Sequence, residues 1–207
     1  MRELYSRVLF PRLLDWVMSA EAMAVRRRQL LAAVEGNVLE IGCGTGLNFA
    51  FYPPSVRTLV ATDPNPGMMA RARERAAAAP IAIALETADA QELPFADGTY
   101  DCAVSTWTLC SIPSVERSLQ EIRRVLKPSG RLFFVEHGLC PEPNLSVWQR
   151  RLTPIQKRIA DGCHLDRAID RLIAAEFAME QLENSYLEDT AKFAGYLYQG
   201  VAIAPAT

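Results

Sequence analysis

A chain of 207 residues is long enough for one domain with a full sheet buried between helices. Half of the residues are apolar, 22% are charged and the net charge is −2, which fits a globular enzyme and lacks the basic excess needed to neutralise a nucleic-acid backbone. Five irregularly spaced cysteines, with no signal peptide and no apolar run of about 18 residues, point to reduced thiols in a cytoplasmic protein without a transmembrane segment.

Residues 1–35 read as a helical cap of two helices. Leu4, Val8, Leu9, Leu13 and Val17 share one face of the first, and Met23, Leu30, Leu31 and Val34 share one face of the second. Pro11 should kink or break the first helix. Arg2, Arg7 and Arg12 flank its apolar face, so it serves either as a lid over the open end of a sheet or as an interfacial membrane helix; its shortness and the acidic overall charge favour the lid. The run Arg26-Arg27-Arg28 reads as a solvated helix face.

From residue 36 onward, short apolar runs alternate with helical stretches. Strands are expected at 38–41, 58–62, 81–85, 101–105 and 131–135, with weaker ones near 179–182 and 197–203. Helices are expected over 66–79, 114–126, 148–159 (interrupted by Pro154) and 166–175, the last capped by Asp166. Such alternation means parallel βαβ units, an α/β sheet with helices on both faces, and ligands at the C-terminal strand ends. The single domain 1–207 then divides into the cap, a cofactor-binding half (36–137) and a substrate-side half (138–207) ending in a hairpin.

Three acidic or glycine-rich elements fall at successive strand ends. Gly42, Gly44 and Gly46 follow the first strand in a turn where absent side chains let backbone amides approach a ligand. Glu40, inside that strand, needs a partner for its charge, a turn amide or a ligand cation. Asp63 ends the second strand, where an acid accepts both hydroxyls of a ribose, and Asp89-Ala90 follows the third, where an acid accepts from an exocyclic amine. The three together indicate a nucleoside cofactor. The GxGxG spacing, with an acid two residues before the first glycine, departs from the GxGxxG of nicotinamide-binding turns.

The same residues resemble a family. Glu40-Ile41-Gly42-Cys43-Gly44-Thr45-Gly46, Asp63-Pro64 with Met68, Leu93-Pro94-Phe95 with Tyr100-Asp101, and Arg124-Val125-Leu126-Lys127-Pro128 look like class I S-adenosylmethionine methyltransferases of the type 11 domain, over roughly residues 35–140. Glu136-His137-Gly138, Trp148-Gln149 and Gly162-Cys163-His164-Leu165 resemble bacterial ubiquinone-biosynthesis-like methyltransferases and the membrane-associated alkyl-thiol methyltransferases of animals. The resemblance implies a three-layer Rossmann-like fold with a seven-stranded, mostly parallel sheet in the order 3-2-1-4-5-7-6. It implies S-adenosyl-L-methionine as cofactor, with S-adenosyl-L-homocysteine as product. Gly42, Gly44 and Gly46 would pass under the methionine part with Glu40 near its amino group; Cys43 and Asn48 would also bind the cofactor; Asp63 would take the ribose; Pro64, Met68, Asp89 and Ala90 would hold the adenine; and Ser105, Thr106 and Trp107 would border cofactor and substrate.

Methyl transfer from a sulfonium requires alignment, and a base only if the acceptor keeps its proton. His137, directly after the fifth strand, and His164, in the Gly-Cys-His-Leu turn, are the catalytic candidates. No metal site is expected, because Cys140, Cys163, His137 and His164 show neither a CxxC nor an HxxxH pair. The acceptor is expected to be a small hydrophobic molecule, a thiol first and a phenol or quinol second, methylated by a monomer or dimer with at most peripheral membrane contact. Lipid or amine N-methylation and a cofactor-binding module without turnover are the alternatives.

Overall fold

A computed structural model describes residues 5–188 and 190–206. Arg2 and Leu4 of the expected N-terminal face lie outside the described residues. Seven strands, β1 (Gly36–Ile41), β2 (Val56–Thr62), β3 (Ile83–Glu86), β4 (Tyr100–Thr106), β5 (Leu126–His137), β6 (Ala178–Tyr186) and β7 (Tyr196–Ile203), form one sheet. Their order is β3-β2-β1-β4-β5-β7-β6, as the resemblance implies. The pairings among β1 to β5 are parallel, and β7 runs antiparallel to both β5 and β6. The chain winds outward from β1 to β3 and then returns to β4 on the other side of β1. The crevice at such a reversal is where α/β sheets bind ligands.

The strands read as continuous apolar runs because both faces are covered. Leu39, Ile41, Leu132 and Phe134 pack on one side with α4 (Val115–Val125) and α6 (Ile169–Ala174). Val38, Val104, Phe133 and Val135 pack on the other with α2 (Glu21–Leu31) and α3 (Pro66–Ala77). The two-residue period that sorts these side chains also turns Glu40 and Glu136 to opposite faces, and both are buried. No described helix is long and apolar enough to cross a membrane.

Four local expectations change. Pro11 changes its helix without ending the helical run: a π-helical turn (Tyr5–Leu9) gives way at the proline to α1 (Phe10–Met18), whose first turn holds Pro11, where no amide donor is needed. Pro154 does not interrupt α5 (Pro143–Ile159). A proline removes one bond of the ladder, and the flanking turns carry the helix past it, with the Thr153 hydroxyl donating to the Gln149 carbonyl at 2.8 Å. Asp166 is not a cap, since α6 begins only at Ile169 behind Ala168. Arg27 is not on a solvated face but is 4% exposed.

Candidate active site

At the tip of β1 the three glycines adopt positive φ for different reasons. A Cβ on Gly42 would lie 2.2 Å from the Thr108 methyl, and one on Gly46 would lie 2.6 Å from the Phe49 ring. Gly44 has φ +55 and open space where its Cβ would be. Its bare backbone thus faces a cavity of about 810 Å³ that opens over the strand ends, within the range of cofactor-sized pockets. Glu40 does not line that cavity. Its oxygens accept from Asn48 Nδ2 at 2.8 Å and the Tyr52 hydroxyl at 2.7 Å rather than from a turn amide. Burial pushes its pKa up to about 7 against those two bonds and the Arg27 charge. Asn48 does line the cavity, and its buried Oδ1 makes no hydrogen bond among the described residues.

Asp63 and Asp89 both border the cavity. Asp63 accepts the Gly44 amide at 3.0 Å and the Asn65 amide at 2.8 Å, which ties the glycine turn to the β2 tip. Burial raises its pKa to about 6 in spite of these bonds. Asp89 accepts from the backbone and side chain of Gln91. Pro64, Met68 and Ala90 add apolar lining to the cavity, and Cys43, within the turn, lines it as well.

The β4 tip is held by an acid to which the sequence alone assigns no role. Glu136, fully buried, accepts the Ser105 hydroxyl at 2.7 Å and the amides of Thr108 and Leu109 at 3.0 Å each. It does for β4 what the sequence leads one to expect of Glu40 at β1. Ser105 is therefore a buried support that does not reach the cavity, nor does Gly46, whereas Thr106 and Trp107 do. Trp107 has φ +51, a costly conformation for a bulky residue, and this directs Thr108 over Gly42.

Arg27, reaching in from α2, is the second residue missed. It lines the cavity 4.9 Å over the Trp107 ring, donates to the Met18 carbonyl at 2.7 Å, and leaves its Nε without a partner among the described residues. Burial lowers its pKa to about 10 while the Glu40 carboxylate opposes that fall. It stays a cation at neutral pH, beside the open face of the turn.

The N-terminal segment crosses the strand ends. Phe10, Leu13, Leu14, Val17 and Met18 form an apolar wall of the cavity. The Tyr5 hydroxyl donates to the Ile159 carbonyl at 2.6 Å and Ser6 to Asp161 at 2.9 Å. Asp15 receives Arg71 and Arg75, each at 2.7 Å, and the Thr45 hydroxyl at 2.5 Å. Leu9 and Trp16, which do not line the cavity, remain exposed.

The two histidines part company. His137 lines the cavity, with Nε2 2.6 Å from Cys163 Sγ. His164 does not line it, and its ring turns to Asp166 at 3.6 Å. Its neighbours Gly162 and Cys163 take the place expected for it, while its own amide donates to the Cys110 carbonyl at 2.8 Å. Trp148, part of a motif that carries the resemblance, is half exposed and does not line the cavity. Cys110, to which the sequence alone assigns no role, lines the cavity beside Cys163.

A family model described as a methyltransferase domain matches residues 39–134. A thiol S-methyltransferase, TMT1B of Rattus norvegicus, is 38% identical over 80% of this chain and 72% of its own. A phosphatidylethanolamine N-methyltransferase of Cereibacter sphaeroides is 30% identical over 84% and 86%. Among solved structures, the N-methyltransferase NodS of Bradyrhizobium japonicum in complex with S-adenosyl-L-homocysteine superposes with a TM-score of 0.71, covering 92% of this chain and 91% of that one at 17% identity, a likeness of fold.

Proposed function

Within the S-adenosylmethionine-dependent methyltransferases, the family to which this chain belongs, we propose that it methylates the sulfur of a small hydrophobic thiol. One observation carries the reading: a relative named for thiol S-methylation matches four-fifths of the chain, at 38% identity. The apolar wall of Phe10, Leu13, Leu14 and Val17 supports it, since such a surface suits an acceptor with little polarity.

When bound, S-adenosylmethionine supplies a methyl carbon already electrophilic on its sulfonium, so the protein's work is alignment and exclusion of water. The chain's residues fit this cofactor. The open backbone of Gly44 would receive the methionyl part, the Arg27 guanidinium would pair with its carboxylate, and Asn48 Oδ1, unpartnered among the described residues, would accept from its amino group. Asp63 would accept from the ribose hydroxyls, while Asp89, Pro64 and Met68, which line the same cavity, would border the adenine. Trp107 and His137 line the same cavity and would border the acceptor, where His137 would steady the reacting sulfur. A thiol is far more acidic than an alcohol, with a pKa of about 8.5 for a cysteine-like group, so it asks for stabilisation of its thiolate more than for a strong base. The N-terminal segment acts as a lid, tied down through Asp15.

The test is turnover on a panel of alkyl thiols, phenols, quinols and phosphatidylethanolamine, with the methylated atom identified by mass spectrometry. The highest kcat/KM is expected on an alkyl thiol, giving a thioether. Turnover on the others with none on thiols would overturn the reading. A second reading, methylation of a lipid amine, is favoured by the Cereibacter relative, which matches along most of the chain.

A further inference from the structure

We propose that Cys110, His137 and Cys163 bind a thiophilic divalent cation, zinc by the chemistry of the donors, with its fourth position open to the acceptor side of the cavity. The three come from separate parts of the fold: the segment after β4, the end of β5 and the turn after α5. Their ligand atoms all lie within 4.8 Å of one another, and all three residues line the cavity. Cys163 Sγ is 3.7 Å from Cys110 Sγ and 2.6 Å from His137 Nε2. Around tetrahedral zinc, with bonds of about 2.3 Å to sulfur and 2.0 Å to nitrogen, neighbouring ligand atoms stand about 3.5–3.8 Å apart. The two sulfurs already have that spacing, and the imidazole must withdraw by about 1 Å to take its place.

A buried cysteine is ordinarily a small apolar filler. Here the backbone is built to bring both thiols to one point. Glu136, which organises the β4 tip, also accepts the Cys110 amide at 3.4 Å, and the Cys110 carbonyl accepts the His164 amide at 2.8 Å. Gly162 has φ +100, and a Cβ there would lie 2.9 Å from the Ser111 carbonyl oxygen, so only glycine lets the Cys163 turn approach so closely. Two thiolates would neutralise a divalent cation at a poorly solvated position. Two cysteines and one histidine with a fourth position free form a catalytic donor set rather than a closed structural one.

The role of the cation rests on the thiol reading above. The acceptor thiol takes the fourth position and loses its proton to solvent. The bound thiolate then attacks the methyl carbon: the new carbon–sulfur bond forms as the methyl–sulfonium bond breaks, and that electron pair stays on the cofactor sulfur. Nothing is oxidised or reduced.

Cobalt(II) titration of the chelator-stripped full chain tests the site. One equivalent should bind and give the intense visible absorption of four-coordinate cobalt with thiolate ligands. Adding an alkyl thiol should shift that spectrum, and Cys110→Ser and Cys163→Ser should each abolish it. Circular dichroism shows whether the serine variants fold, and Cys110→Ala and Cys163→Ala replace them if they do not. No saturable binding, an unchanged spectrum in the folded variants, or recovery of Cys110 and Cys163 as a disulfide would overturn the site. Thiol turnover undiminished by stripping the metal would overturn its role. A cobalt site that responds to thiols in a protein without thiol turnover would support the site and sink the function reading alone.

Discussion

Asn48 donates its side-chain amide to the Glu40 carboxylate at 2.8 Å, so a fully buried acid on β1 aims the residue that faces the cavity. That acid is held near neutrality by burial, with a pKa of about 7 against an ordinary 4.5. The folded state therefore keeps this proton more tightly than the unfolded chain. Stability from this group is full below pH 4.5 and declines as pH rises to 7. Glu40→Gln should flatten that decline, which amounts to on the order of 3 kcal/mol at most. Urea unfolding at pH 5 and pH 8 measures it, and an equal slope in both proteins would contradict the assignment.

Arg27 lies buried at the cavity with its Nε unpaired among the described residues. If it pairs with the cofactor's carboxylate, Arg27→Met should weaken S-adenosylhomocysteine binding by about ten- to a hundredfold, the cost of a charge-assisted bond of roughly 1.5–3 kcal/mol. Methylthioadenosine, which lacks the amino-acid portion, should bind the variant as well as it binds the parent. Equal losses for the two ligands in calorimetry would reduce Arg27 to a structural support.

Gly44 and Gly42 separate ligand space from protein space. Alanine at Gly44 meets no protein atom and bears only the strain of φ +55, about 1–2 kcal/mol. It should nevertheless lower cofactor affinity more than about tenfold, because its methyl enters the cradle. Alanine at Gly42 runs into Thr108 at 2.2 Å and should unfold at a lower temperature. Thermal melts beside binding curves compare the two, and a Gly44→Ala protein with unimpaired affinity would move the cofactor elsewhere.

Much of this was legible in the chain because it is written locally. The strand runs are continuous where both sheet faces are covered, the glycine turn and Asp63 follow strand ends directly, and Asp89 follows closely after β3. Arg27 was hidden in a triplet of arginines, although it shares the spacing of Met23, Leu30, Leu31 and Val34 and so belongs to the inward stripe of α2. Glu136 continues the alternation of Leu132 and Phe134, which carries it inward. Cys110 offered no such signal. Residues 111–136, which include the whole of α4, separate it from His137, and α5 lies between His137 and Cys163. Only the packing of β4, β5 and the turn after α5 unites the three.

Asp15 fastens the N-terminal helix by accepting from Arg71 and Arg75 on α3 and from Thr45 in the glycine turn. Burial alone would raise its pKa, and the bonds from Arg75 and Thr45 with both arginine charges hold it below the usual value. The stabilisation is therefore present above that usual value, near 3.8, and is lost as pH falls through the lower folded pKa. Both arginines are about a third exposed, so solvent screens the pairs to about 0.5–1 kcal/mol each. Asp15→Asn should leave the fold intact and speed dissociation of S-adenosylhomocysteine by about threefold to tenfold, read by stopped flow. An unchanged off-rate would mean that this helix does not gate the cofactor.

Asp63 carries the sharpest pH dependence expected of the site. Burial lifts its pKa to about 6, opposed by the Asn65 and Gly44 amides and reinforced by the charge of Asp161. Ribose hydroxyls donate, so the cofactor selects the ionised carboxylate. Binding at pH 5 must first remove a proton held by about nine molecules in ten, so affinity should fall about tenfold between pH 7 and pH 5. Asp63→Ala should bind about ten- to a hundredfold more weakly at pH 7 and lose this pH dependence. Calorimetry in buffers of different ionisation heat gives a second reading: the parent releases almost no proton at pH 7 and close to one per cofactor bound at pH 5. A variant that keeps the parent's pH profile would assign the titration to another group and remove Asp63 from the ribose.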